Sequence, residues 1–517
     1  AGAELLGRLH NKLAPPSAEL TMRLRSLAIA RTTRGSRDRP PASEAMAALI
    51  QVRAVDQETL RLSLESGNDT VRRLAAGSLG SAASAITGRE RSDFLRRLLH
   101  DRSQFVRYEA LRGYARSDLR TEGCRPVLAA LADPSLHVVL AALDAAGDGC
   151  QGDQSAVARV VIEASLPPNV GRWQREAHAM VALAKLSRAD ADVALASHAR
   201  HGTWQVRMYA ARAAGIIDDT ATLERLAADD NDNVREATLA PLRRLKGNGA
   251  EPHLVLALSR RDYQLLRTAA NEMKGLPPSK VLTSALIDAL TRVTAEKKET
   301  SRDVRLAFIE RLQELGVADR VAQLQPLLRD FDPKVASAIA KTLSTATGTA
   351  YVPNPQPLPR QPLPTWTETA YLLRYDPVLV MATGQEIALR LDVEHAPVTS
   401  VRFLRLARAD YFDHLTFHRV VPNFIIQGGS PGANEYAGDG AYLRDEISSR
   451  SHVTGTIGIS TRGRDTGDAQ LFFNLVDNPR LDFEYTVAGT IAARSLARMW
   501  EVVEGDVITD VKFVRRR

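Results

Sequence analysis

Over roughly residues 40 to 345 the apolar positions recur at three- and four-residue steps, the period of amphipathic helices, in short paired blocks. Each block reads as an apolar helix, a turn carrying Asp, Asn or Pro, and then a second helix opened by Val-Arg and rich in small residues. Clear copies stand at Val71-Arg72, Val106-Arg107, Val206-Arg207 and Val234-Arg235, with weaker ones at Val138, Leu266-Arg267, Val304-Arg305 and Val335. The interval scatters between roughly 28 and 38 residues, with one degenerate unit near Val170 to Leu186 filling the gap after Val138. Helix pairs at this period bury their apolar faces only by stacking on their neighbours, so the pattern predicts an all-α solenoid. The recurrent valine is expected in the core. The arginine after it is expected to pair with a carboxylate or turn carbonyl of the adjacent unit.

The pattern changes near residue 350. Tyr351 to Pro364 carries a proline at nearly every second position, which favours an extended polyproline II segment and predicts a semi-rigid spacer holding two halves apart. Beyond it, alternation takes over: Ile387, Leu389, Leu391 and Val393 share one face of a half-buried strand. Pro397 then opens a helix with Val398, Val401, Leu404 and Ala407 at helical spacing, followed by a compact, mostly β region with many turn signals. The expected division is a helical repeat region at 1–345, a linker at 346–367 and a β domain at 368–517.

Composition narrows the function classes. A chain of 517 residues is too long for one core and should divide into domains. Nothing approaches eighteen uninterrupted apolar residues, so no membrane span is expected. The net charge of +7 could draw nucleic acid, but the arginines alternate with acids and, apart from Arg515, Arg516 and Arg517, do not cluster, so nucleic acid is not the expected partner. The chain begins at Ala1 without Met, read as a removed leader or a trimmed start. Cys124 and Cys150, the two cysteines, bracket one helix pair whose antiparallel ends come together. Two readings stand: a disulfide, which would argue for an extracytoplasmic compartment of a bacterium, or two separate buried thiols.

Chemistry concentrates in Phe417-His418-Arg419-Val420-Val421-Pro422-Asn423-Phe424-Ile425-Ile426-Gln427-Gly428-Gly429. It sets an arginine, an aromatic and a glutamine at fixed spacing with no nucleophile, metal cluster or phosphate loop nearby, so no cofactor is expected. In strands, Ile425 and Gln427 share a face, as do Gln470 and Phe472, while Leu471 and Phe473 point the other way. His418 is expected to be structural. Such a set suits chemistry without bond breaking.

This stretch resembles the signature of the cyclophilin family of peptidyl-prolyl isomerases. The likeness continues through Gly455 to Thr461, Ala469 to Asn474, Leu481-Asp482 and Val487 to Gly489, covering about residues 368 to 513. The resemblance implies an eight-stranded antiparallel barrel with two helices and a groove for proline-containing peptides or protein clients. It makes Arg419 the catalytic arginine; Phe424, Ile425 and Phe472 walls of the proline pocket; and Gln427 and Gln470 binders of peptide backbone. It has Leu481 close the pocket, Ser460 and Thr461 contact the residue before proline, and Tyr485 replace a histidine. Arg480 for an aromatic, Thr461 for asparagine and Ala488 for phenylalanine are further departures, and they argue against cyclosporin-type ligands. The helical units resemble HEAT repeats, particularly the short bacterial kind, and imply a protein-binding surface. The expected function is therefore a protein-folding isomerase of chaperone type whose repeats recruit clients or a protein partner. The alternative is a non-catalytic scaffold that binds proline-containing segments. The proline-rich linker docking into the groove as an inhibitor is a third reading.

Overall fold

The Val-Arg positions mark the first turns of helices whose inner faces form the core. In the computed structural model, which describes residues 16–30, 42–166 and 172–516, Val71, Val106, Val138, Val206, Val234, Val304 and Val335 are each at most 1% exposed. The Ala1 start, Val170 at the edge of the degenerate unit and Arg517 lie outside the described residues. The chain forms two compact units, Ala1–Arg200 and His201–Arg517.

In the first unit, all described elements are helical. The helices Asp69–Leu79, Gln104–Ser117, Leu136–Gly149 and Trp173–Leu186 alternate with shorter partners. The arginine after each valine forks onto an aspartate five residues before the next valine. Arg72 donates from Nε and Nη2 to Asp101 at 2.8 and 2.9 Å, and Arg107 likewise to Asp133 at 2.6 and 2.8 Å. Asp101 and Asp133 also accept the backbone amides of Ser103 and Ser135, so each carboxylate fixes its turn and ties it to the preceding helix. Cys124, just before Arg125–Ala129, and Cys150, at the end of Leu136–Gly149, are joined as a disulfide with Cα atoms 5.8 Å apart.

The same ladder runs through the helical part of the second unit, which contains Trp204–Ile216, Asp232–Lys246, Tyr263–Glu272, Lys280–Ala295, Arg302–Leu315 and Pro333–Thr347. Arg207 forks onto Asp229, and Arg305 places Nη1 within 2.7 Å of both oxygens of Asp330. The exception explains itself. Arg235 would meet position 261, which is an arginine, so it turns to the carbonyls of Ala227, Ala228 and Asp229.

The β region is built from β1 (Tyr375–Met381), β2 (Glu386–Leu391), β3 (Thr416–Val421), β4 (Ile425–Ser430), β5 (Thr456–Ile459), β6 (Leu471–Asn474), β7 (Val487–Ile491) and β8 (Ile508–Arg515). They form one antiparallel sheet in the order β3-β4-β6-β5-β7-β2-β1-β8. Its two edges meet where Phe417 donates to the Asp506 carbonyl at 3.0 Å and Gly505 to that of Phe417 at 2.9 Å, which curls the sheet closed and leaves no long free edge. Ile387, Leu389, Leu391, Phe417, Ile426, Leu471 and Phe473 fill the interior. The helix Pro397–Arg408 covers that core with Val401, Leu404 and Ala407, and the side chain of Glu446 caps it by accepting the amides of Val398 and Thr399.

The proline-rich stretch is not a spacer between separated halves. Asn354 and Gln356 donate backbone amides to the carbonyls of Leu328 and Asp330, and Arg405 donates to those of Pro362 and Leu363. The segment is a strap along the last repeats and the Pro397–Arg408 helix, and the helices from Trp204 onward share one compact unit with the sheet. None of these bonds reaches the residues of the signature stretch, which gives no support to a linker lodged in the groove.

Candidate functional site

Simple alternation along β3 would send Arg419 into the core, because Phe417, two residues before it, is 1% exposed and packs inside. The ladder prevents this by slipping. Phe417 pairs with Gly428, but Arg419 pairs with Gln427, so His418 is the extra residue of a bulge that turns Arg419 onto the outer face. On the partner strand, Gly429 takes a φ of +92°, and a Cβ there would stand 2.4 Å from the Ala469 carbonyl oxygen, so only glycine fits.

On that face Arg419 donates from Nη1 to Gln427 Oε1 at 3.3 Å. Gln427 Nε2 donates to Ser460 Oγ at 3.1 Å and to Gln470 Oε1 at 3.0 Å. Gln470 is fully buried, and its amide nitrogen holds the carbonyls of Glu435 and Ala437. Its polar atoms are thus engaged in orienting Gln427 and the loop that follows β4. Thr461 lies half-buried next to Ser460.

Beside this polar row is an aromatic one. Phe472, opposite Gln427 in the ladder, is stacked by His452 with centroids 5.5 Å apart and met edge-on by Tyr485 at 5.6 Å. His452 is itself pinned, accepting at Nδ1 from Asn474 and donating from Nε2 to the Tyr485 carbonyl. Ile425 is buried on the same side as Gln427, whereas Phe424 is half-buried with the Arg480 guanidinium 4.4 Å above its ring. Leu481 ends the short turn Pro479–Leu481, and its carbonyl accepts the amide of Tyr485. Arg419, Gln427, Ser460 and Gln470 are thus linked by hydrogen bonds beside Phe472 and Tyr485, while Phe424 packs under Arg480 and Leu481 and Thr461 lie in the flanking turns.

The sequence reading passed over several neighbours. Glu435 places Oε1 3.5 Å from Arg419 Nη1, and both side chains are about half exposed. His452 supports Phe472 from behind. His418, the bulge residue, is half-buried with both ring nitrogens shielded from solvent, and this burial with the adjacent Arg419 charge pushes its imidazole down to about 4. His418 was expected to be structural, and it carries no charge at neutral pH. No short motif marks Glu435, which lies in a loop of no regular period. Among the described residues, no cluster of three or more His, Cys, Asp or Glu is arranged to hold a metal ion.

A cation that never loses its proton, a half-exposed aromatic pocket and a row of amide groups offer grip and polarity without a transferable proton. Residues 378–513 match the family described as cyclophilin type peptidyl-prolyl cis-trans isomerase/CLD. A peptidyl-prolyl cis-trans isomerase of Helicobacter pylori is 38% identical over 130 residues, which are 25% of this chain and 80% of that protein. The chain belongs to the cyclophilin-type peptidyl-prolyl isomerase family.

Peptidyl-prolyl cis-trans isomerase B of Bacillus subtilis is 33% identical over 147 residues, 28% of this chain and 97% of the relative. A crystal structure of a Cryptosporidium parvum cyclophilin type isomerase overlaps 28% of this chain and 99% of its own, with 22% identity and a TM-score of 0.26. The family match lies in the C-terminal β region, and the helical region, over half the chain, lies outside residues 378–513. The reaction the family accelerates is rotation about the X-Pro bond. Unaided, that rotation crosses a barrier of about 18–20 kcal/mol and takes tens to hundreds of seconds. No helix among the described residues is long and apolar enough to cross a membrane.

Proposed function

We propose that Arg419 is the catalytic group of this isomerase, donating to the prolyl nitrogen as amide resonance is lost. Phe424, Ile425, Phe472, Leu481 and Tyr485 hold the proline ring, and Gln427, oriented by Gln470, binds the backbone beside it with Ser460 and Thr461 flanking. The observation that carries this reading is the slipped register that sets Arg419 opposite Gln427, 3.3 Å apart, on the groove face. A donor that strengthens its bond only in the twisted state raises turnover instead of merely tightening binding. Arg419→Ala on the intact chain, assayed by proline-limited peptide isomerisation, tests it. An unchanged rate would remove Arg419 from the mechanism.

We further propose that residues 1–345 form a HEAT-like solenoid that recruits protein clients to the isomerase at 368–517, with 346–367 as the strap joining them. The Arg-to-Asp ladder from Arg72 to Asp330 supports a repeating helix pair, and the direct contact of the helices after Trp204 with the sheet supports a shared client. Refolding of a proline-limited protein by wild type and by Arg419→Ala separates the two roles. Client capture should survive in the variant while acceleration is lost.

A further inference from the structure

Two helices of the repeat region, Asp232–Lys246 and Tyr263–Glu272, reach the loop beside the isomerase groove. Asn434 Nδ2 donates to Asp262 Oδ2 at 2.8 Å, Asn233 Nδ2 donates to the Gly432 carbonyl at 2.8 Å, and Gln264 Oε1 accepts the amide of Glu435 at 3.2 Å. Asn434 and Asn233 are 4% and 8% exposed, so this is a built junction and not a surface graze. It fixes the loop that carries Glu435, the partner of Arg419.

Between the helices and the groove lies a cavity of about 430 Å³, lined by Trp204, Met208, Arg212, Arg267 and Tyr436 and bounded by Arg419 itself. The volume suits one large side chain with its backbone. Its charges are unevenly matched. Glu435 faces Arg419, Glu504 accepts the Tyr209 hydroxyl at 3.0 Å, and Glu236 accepts from Thr268, its carboxyl pushed up by burial and drawn back by the charge of Arg212. Arg212 and Arg267 have no carboxylate within 4.0 Å among the described residues. Each lies over a tyrosine ring instead, Arg212 on Tyr209 at 4.5 Å and Arg267 on Tyr436 at 4.8 Å. Stacking holds a guanidinium in place while leaving its edge donors free for a planar anion.

We propose that Arg212 and Arg267 form a specificity subsite that the repeats add to the isomerase groove, selecting client segments with an acidic side chain a few residues from the isomerised proline. This rests on the reading of the Arg419 groove as the proline site. The carboxylate supplies the charge the two arginines lack, and the apolar wall of Trp204 and Met208 takes its methylenes. The helices thereby contribute to substrate choice directly, within reach of the reacting bond.

The test uses the full chain and a series of proline peptides carrying Glu, Gln or Lys at each of the three positions on either side of the proline. Rates are read by NMR exchange, so that no coupling protease imposes its own preference. At one position Glu should exceed Gln in kcat/KM by about 5- to 10-fold, as expected for two partly exposed ion pairs, and the advantage should fade as salt rises. In Arg212→Gln/Arg267→Gln the advantage should vanish while the all-neutral peptide keeps its rate, which also reports an intact fold. In Arg212→Glu/Arg267→Glu the preference should pass to Lys. Parity of Glu and Gln in the wild type at every position, or a Glu preference that survives in the double Gln variant, overturns the proposal. Arg419→Ala keeps the two readings apart. It should lower turnover by about 10²- to 10³-fold yet leave the Glu preference in peptide binding measured by anisotropy, whereas full turnover in that variant would sink the groove assignment and not the subsite.

Discussion

The tip of the Phe472 ring presses on Gly458, so close that a Cβ on residue 458 would stand 2.1 Å from Phe472 Cζ. The two residues pair across β5 and β6, and the missing side chain is what lets the aromatic ring lie over the strand and wall the groove. Gly458→Ala should therefore tilt Phe472 toward its neighbours His452 and Tyr485 and deform the proposed proline pocket. A misplacement of this order costs about 10²-fold in kcat/KM. Peptide kinetics check it, with circular dichroism confirming that the sheet remains.

Arg419 and Glu435 are about half exposed at 3.5 Å, the kind of pair that contributes at most about 1 kcal/mol. Substrate should displace it easily. Glu435→Gln is expected to change kcat/KM by no more than about fivefold, whereas Arg419→Ala should lower it by about 10²- to 10³-fold. Arg419→Lys should recover little, because an ammonium lacks the planar fork. Steady-state isomerisation of one neutral peptide by the three variants gives the comparison.

His418 sets a pH limit on stability. Its folded value near 4 lies below the ordinary 6.5, so the unfolded chain binds the proton more readily than the folded one between these values. Stability is lost as pH falls from about 6.5 to about 4, by up to about 3 kcal/mol, and the slope flattens below that. His418→Gln should flatten the acid limb in urea unfolding measured across that range. Turnover above pH 7 should not follow this titration, since rotation transfers no proton.

Arg305 and Asp330 form the one rung of the helical ladder in which both side chains are fully buried, with Phe331 stacked 4.2 Å from the guanidinium. Removing Arg305 alone leaves a buried carboxylate without its counter-charge. Arg305→Met should cost about 3–5 kcal/mol, and Asp330→Leu added to it should recover a large part. Arg61→Ala, which breaks a half-exposed pair with Glu90, should cost under about 1 kcal/mol. Denaturant titration of the three variants reads the difference.

The Cys124–Cys150 disulfide closes a separation of 26 residues in the first unit. Loop-closure entropy assigns such a bond about 3.5 kcal/mol, acting through the unfolded chain. Cys124→Ser/Cys150→Ser should lower the melting temperature of that unit, while peptide isomerisation at 25 °C stays unchanged because the groove lies in the other unit. Adding a reductant to the wild type should reproduce the shift.

Much of the architecture is local and so could be read from one dimension. The helical period, the buried valines, the strand through Ile387 and Leu391, and the division of Gln470 and Phe472 from Leu471 and Phe473 follow from side-chain periodicity, which each residue carries with it. The arginine after each valine was expected to meet a carboxylate or a turn carbonyl, and both occur: Arg72, Arg107, Arg207 and Arg305 take aspartates and Arg235 takes carbonyls. The proposed groove residues come from the motif alone, and the motif did not show which face Arg419 takes. Alternation from Phe417 points it inward, and only the pairing with β4 shows the extra residue at His418.

What the tertiary structure alone decided lies where distant segments meet. That Cys124 and Cys150 bond, that the proline-rich stretch is a strap instead of a spacer, and that Arg212 and Arg267 stand beside Arg419 depend on contacts across long sequence separations. Such contacts leave no period and no fixed spacing, because they are set by how finished surfaces fit together. The chain's own pattern determined an isomerase barrel and a stack of helix pairs. Their docking, through Asn233, Asp262 and Asn434, set the helices against the loop that carries Glu435.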